Sequence, residues 1–178
     1  MAYIILTSPH GHPYLDDVIA SHIVNELENL LKPVGHNVLS LVNKIPRKFG
    51  DMNRPSTRDT PYRRVIDAVL RSDNKPDFLL DVHGFPDNTD SPLGGNDIVV
   101  LRSHKLQKRL PADYHKLLNK YNTENFKIGI QSATAENDVV IQSIKSGVPA
   151  VLIEHNESGP VGSFARIHAL VLEELLGK

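Results

Sequence analysis

The chain has 178 residues, 40% apolar and 23% charged, enough for one domain that buries a core without covalent staples. A formal charge of −1, with acids and bases intermixed, supplies no field for capturing nucleic acid or an anionic membrane surface, so neither is expected as a partner. The absence of cysteine excludes disulfides, thiolate ligands and a cysteine nucleophile, and leaves any metal to His, Asp or Glu, a set that suits catalytic zinc better than structural zinc.

Ala2–Ser8 is a short apolar run stopped by Pro9 and reads as a buried strand. Asp16 and Asp17 then open a segment with Val18, Ile19, Ile23, Leu27, Leu30 and Leu31 at helical spacing, ending near Pro33 and Gly35. Val38–Val42 is a second strand. Ile45 to Thr60, with Pro46, Gly50, Pro55 and repeated Arg, reads as a long irregular loop, and such loops often carry function. Pro61 suits the first position of a helix running to about Arg71.

Asp77–Val82 is a buried strand leading into His83-Gly84, and a turn-rich stretch from Asp87 to Asn96 precedes the strand Ile98–Leu101. Helical spacing covers roughly His104 to Lys120, with Pro111 marking a break or a new start. Phe126–Gln131 reads as a strand, Asp138–Ser146 as a helix closed by Gly147, Pro149–Glu154 as the last strand and Ser163–Leu176 as an amphipathic helix. Strands alternating with helices predict an α/β sheet with helices on both faces, in one domain over residues 1–178. The N-terminal apolar run is too short for a signal sequence and no stretch approaches a membrane span, so a cytoplasmic location is expected.

Three apolar strands run directly into polar residues: His10 follows the first, His83 the Asp77–Val82 strand, and Glu154 ends the last. Ligands of open α/β sheets bind at the carboxyl ends of strands, so the three meet if those strands are parallel neighbours. A His and a carboxylate at one strand-to-helix junction, completed by a distant His, form the two-His-one-carboxylate set of hydrolytic zinc; an N-capping aspartate beside a loop histidine explains the same spacing. Alternation puts Asp81 and His83 on one face, where the carboxylate would orient the imidazole. Glu154 is either a general acid/base near an activated water or a strand-end acid paired with Lys or Arg. Arg54, beside Asn53, suits bidentate capture of a substrate carboxylate, a task for which Arg58, Arg63, Arg64 and Arg102 compete. His12 and His155 are weaker ligand candidates, each beside a better-placed residue.

Taken in order, S-P-H-G, L-D-D-V-I-A, D-M-N-R, P-Y-R-R-V-I-D-A-V-L, L-L-D-V-H-G-F-P, N-D-I-V-V-L and G-V-P-A-V-L-I-E resemble the N-formylglutamate amidohydrolase family across most of the chain. The resemblance implies a phosphorylase/hydrolase-like three-layer sandwich with a mostly parallel mixed sheet. It implies zinc-dependent cleavage of a C–N amide bond in an N-acyl amino acid or small peptide-like substrate. Position by position it implies His10, Asp17 and His83 as zinc ligands, Glu154 as catalytic carboxylate, and Arg54 with Asn53 as the substrate clamp. Asp17 fits the family's helix opening better than Asp16. Gly84 stands where the family often has serine, and Gln131–Glu136 is the stretch available to replace its glycine-rich substrate loop. Zinc cell-wall amidases and carboxypeptidases are similar in the same features, and a catalytically inactive binding domain is the alternative from another class.

Overall fold

A computed structural model describes residues 1–11, 18–87, 93–102, 109–133 and 138–177. Its sheet has six strands, β1 (Tyr3–Ser8), β2 (Asn37–Val42), β3 (Phe78–Phe85), β4 (Ile98–Arg102), β5 (Ile128–Ser132) and β6 (Ala150–Asn156), in the order β2-β1-β3-β6-β4-β5. β2, β1, β3 and β6 are mutually parallel, whereas β4 runs antiparallel to β6 and carries β5 parallel to itself. The expected α/β class and mixed, mostly parallel sheet are therefore present.

Helices α1 (Val18–Leu31), α2 (Pro61–Arg71), α3 (Arg109–Tyr121), α4 (Asp138–Lys145) and α5 (Val161–Leu175) complete the three layers. Strand residues alternate between two cores, as period-two geometry requires. Ile4, Leu6, Phe78, Leu80, Val82, Val151 and Ile153 join the core beneath α1, α3 and α5. Ile5, Leu79, Val99, Leu101 and Leu152 join the one that contains Ile66 and Leu70 of α2 and Val139 and Val140 of α4. β1, β3 and β6 are apolar on both faces because both faces are covered.

Element bounds shift by a few residues from the sequence reading. β3 continues three residues past Val82, because pairing with β6 extends to Phe85↔Asn156. Pro111 is the third residue of α3, where its missing N–H costs no intrahelical bond, so it marks a start rather than a break. The long loop contains two short 3₁₀ turns, Arg47–Phe49 and Pro55–Thr57. Among the described residues, no helix is long and apolar enough to cross a membrane.

Candidate active site

β1, β3 and β6 are parallel neighbours, so the residues at their carboxyl ends share one edge of the sheet. His83 lies opposite Glu154 in the register. Residues opposite one another project to the same face from strands about 4.8 Å apart. Asp81, two residues earlier on that face, accepts a 2.7 Å hydrogen bond from Thr7 Oγ1 of β1.

His10 joins them from the turn after β1. Asn43 ties this turn down by donating through Nδ2 to the carbonyls of Pro9 (2.9 Å) and Ile45 (2.8 Å). Gly11 allows it to be tight: a Cβ there would lie 2.6 Å from Ser8 Oγ and 2.8 Å from Val42 Cγ1. The rings of His10 and His83 meet edge to face with centroids 4.9 Å apart, and both side chains are buried.

The long loop closes around the two imidazoles. The Arg47 guanidinium donates to His10 Nδ1 at 2.5 Å, which leaves that nitrogen unprotonated, and His10 Nε2–H donates to Asp51 Oδ1 at 2.6 Å. Burial alone pushes the Asp51 carboxyl up, but the bonds from His10 and the Asn53 backbone N–H, with the charge of Arg54, outweigh it and hold the group well below the usual carboxylate range. Arg54 Nε lies 3.4 Å from Asp51 Oδ2, and 41% of the Arg54 side chain is exposed at the rim.

Asn53 is buried and has two roles. Its Oδ1 accepts from the Val139 N–H (3.1 Å) and its carbonyl from the Asp138 N–H (3.2 Å), which anchors the start of α4. Its Nδ2 then faces His83 Nε2 at 3.3 Å, with Asp81 Oδ2 3.1 Å from the same nitrogen. Nε2 accepts from Asn53 when bare and donates to Asp81 when protonated, so each tautomer makes one of these two bonds. Behind Asn53, Asp138 is bound by the fully buried Arg63 at 2.7 Å and by Arg58.

Of the residues singled out in the sequence, His10, His83, Asn53 and Arg54 are thus gathered in one cluster, with Glu154 beside His83 in the sheet. Arg58 and Arg63 are engaged with Asp138, and His155 points to the opposite face. Asp17, with Asp16 and His12, lies outside the described residues, as do residues 134–136 of the Gln131–Glu136 stretch. Among the described residues, no group of three His, Asp or Glu side chains is placed to hold a metal. Sequence reasoning did not single out Arg47 and Asp51. Asp51 stands two residues before Asn53 in D-M-N-R, which was the available signal; Arg47 had none beyond its place in the loop.

No family model matches the chain, and no curated protein sequence matches it. Solved structures do. The chain has the fold of the N-acetylmuramoyl-L-alanine amidases. The catalytic domain of CwlV, such an amidase from Bacillus (Paenibacillus) polymyxa var. colistinus, superposes with TM-score 0.63 at 14% identity, over 99% of this chain and 98% of that one. The N-acetylmuramyl-L-alanine amidase Ami1 from Mycobacterium smegmatis gives 0.66 at 12% identity, over 98% and 97%. Csd4 of Helicobacter pylori, a D,L-carboxypeptidase, gives 0.61 at 14% identity, over 98% of this chain and 50% of that one. At such identities the likeness is one of fold.

Proposed function

We propose that the chain is a zinc-dependent hydrolase of C–N amide bonds in muramoyl-peptide substrates, the cell-wall amidase reading. The observation that carries it is the convergence of His10, His83 and Glu154 at the carboxyl edge of β1, β3 and β6, in a fold whose solved relatives include amidases and a carboxypeptidase. The relatives favour this reading over N-formylglutamate as substrate. N-formylglutamate-type hydrolysis is the second reading, favoured by the exposed Arg54 at the rim, which suits a small substrate's carboxylate.

The donor chemistry fits zinc. His10 Nδ1 already presents its lone pair to a cation, the Arg47 guanidinium, while Asp51 holds the opposite N–H. That is the state of a ligating imidazole backed by a carboxylate. His83 has Asp81 in the same supporting position. His10 and His83 would hold the ion together with Asp17, and Asp51 and Asp81 would orient the two rings. When bound, zinc supplies Lewis acidity to the scissile carbonyl and lowers the pKa of water.

The rest belongs to the chain's own side chains. Glu154, on the face of His83, accepts a proton from the attacking water and returns it to the departing nitrogen. Arg54 or Arg47 holds negative charge on the substrate in register with the two imidazoles. Asp81, accepting from His83 Nε2–H, fixes the plane of the His83 ring, and Asn53 stands beside the same nitrogen.

The test is zinc content of the purified protein together with turnover of three substrates: a muramoyl-L-alanine peptide, a D-amino-acid-containing stem peptide and N-formyl-L-glutamate. One zinc per chain, lost in His83→Ala, and cleavage of the first or second substrate are expected. Turnover of N-formyl-L-glutamate alone would overturn the cell-wall reading, and no zinc with no turnover would leave the inactive domain. Asp17→Asn is expected to abolish tight zinc binding, while Asp51→Asn weakens it by about 10- to 100-fold, as the loss of a supporting carboxylate does. The reverse ranking makes Asp51 the ligand.

A further inference from the structure

The far face of the sheet, away from the imidazole of His83, is apolar, yet a polar thread of fully buried groups crosses it. It starts one residue after Glu154. Alternation along β6 turns His155 away from the active site and under α5, where its ring packs on Phe164 with centroids 5.1 Å apart. His155 Nδ1 lies 3.2 Å from the carbonyl oxygen of His83, its Nε2 lies 2.7 Å from Nε2 of His168 on α5, and His168 Nδ1 lies 3.0 Å from the hydroxyl of Tyr114 on α3.

One fixed point assigns every proton. The His83 carbonyl only accepts, so His155 Nδ1 carries hydrogen and donates. In a neutral ring, His155 Nε2 is then bare and accepts from His168 Nε2–H. His168 Nδ1 is bare in turn and accepts from Tyr114 O–H. Full burial of all three side chains, whose hydrogen-bond partners here are a carbonyl, one another and a phenol, favours the neutral state throughout. Donation therefore runs in one direction, from Tyr114 through two imidazoles to the peptide of His83.

We infer that Tyr114, His168 and His155 are positioning residues that act through the His83 carbonyl, holding that peptide so the His83 imidazole keeps its place beside His10 and Glu154. The inference rests on the reading of His83 as a metal-site residue. Stability alone does not require the thread. Replacing a complete buried polar network by apolar groups of similar volume is often neutral, and the surroundings here are Phe78, Phe164 and aliphatic side chains. What an apolar filling cannot do is grip one carbonyl from the side opposite the active site.

His168→Gln and His168→Met separate order from volume. A glutamine carboxamide accepts from Tyr114 and donates to His155, which preserves the direction; methionine fills the space and does neither. Zinc affinity is read by chelator competition, and the ring nitrogens of His83 and His155 by ¹⁵N NMR of zinc-free protein. Wild type is expected to show His155 protonated on Nδ1. The Gln variant should stay within about threefold of wild-type zinc affinity, with the Met variant falling about 10- to 100-fold and its His83 ring resonances moving at little change in Tm. A Met variant with wild-type zinc affinity and unmoved His83 resonances overturns the proposal, as does a Gln variant that falls as far as Met. Should the Met variant not fold, His168→Leu takes its place with the same expected losses, because it likewise leaves the bare His155 Nε2 without its donor. If wild-type protein binds no zinc, the metal reading fails by itself, and the His83 resonances of the zinc-free variants still decide the positioning role.

Discussion

Glu154 follows four buried apolar residues, Ala150 to Ile153, and register with β3 fixes its side chain on the face of His83. In the proposed reaction this carboxylate carries the proton to the departing nitrogen. Glu154→Gln keeps the shape and removes the proton carrier, so kcat should fall by about 10²- to 10⁴-fold with zinc content unchanged, measured by single-turnover hydrolysis and metal analysis. Loss of zinc along with activity would instead make Glu154 a ligand. Period-two alternation also settles the fate of its neighbour: if Glu154 faces the site, His155 cannot. That rule was available in the sequence, where His155 nevertheless stood as a weaker ligand candidate. Asn53 and Arg54 show the opposite case. They are adjacent in an irregular loop with no period, so nothing local indicated that Asn53 would be buried against α4 while Arg54 stayed at the rim.

At the scale of elements, the short helix α4 depends on the long loop for its start. Asn53 binds its first two N–H groups that matter, those of Asp138 and Val139, and Asp138 in turn joins Arg63 of α2 and Arg58 of the loop. Burial pushes the Asp138 carboxyl up, and the two arginines overcome this and lower it. Asp138→Ala leaves the Arg63 guanidinium buried without its carboxylate. Breaking a buried pair in this way costs about 3 kcal/mol or more, to be read from urea unfolding. A loss under about 1 kcal/mol would show that Gln142 and the Met52 carbonyl are sufficient partners for Arg63. The existence and order of the elements were legible in the sequence because apolar runs and helical spacing are local signals, as were the three strands that lead to His10, His83 and Glu154. Strand order and the reversal of β4 were not, since pairing joins residues such as Val99 and Glu154 that lie far apart in the chain. The thread of Tyr114, His168 and His155 was invisible for the same reason, with partners 13 and 54 residues apart.

For the whole molecule, the two buried neutral histidines tie stability to pH. Their folded pKa values are depressed, so the unfolded chain takes up their protons first as pH falls. Their contribution is complete above the unfolded value of 6.5 and is lost progressively as pH drops toward about 3, the folded value for His155. Each proton contributes a slope of up to about 1.4 kcal/mol per pH unit. The lowered carboxyls of Glu28 and Glu174 join near their usual 4.5, and those of Asp51 and Asp138 near their usual 3.8. Chemical denaturation between about pH 6 and 5.5 therefore isolates the histidines. His168→Gln should flatten the wild-type slope by about one proton, and an unchanged slope would mean that His168 is not neutral in the fold. The reversal of β4 has a different consequence. Because β3 leaves the sheet at the same edge where β4 enters it, the connecting segment has both feet at the candidate site. Those feet are pinned by the end of β6: the Glu157 N–H donates to the Phe85 carbonyl and the Asn156 N–H to the Asp97 carbonyl, each at 3.0 Å. A segment clamped at both roots can be lengthened, shortened or exchanged without disturbing strand pairing, so it is the natural graft point for changing what the candidate site accepts.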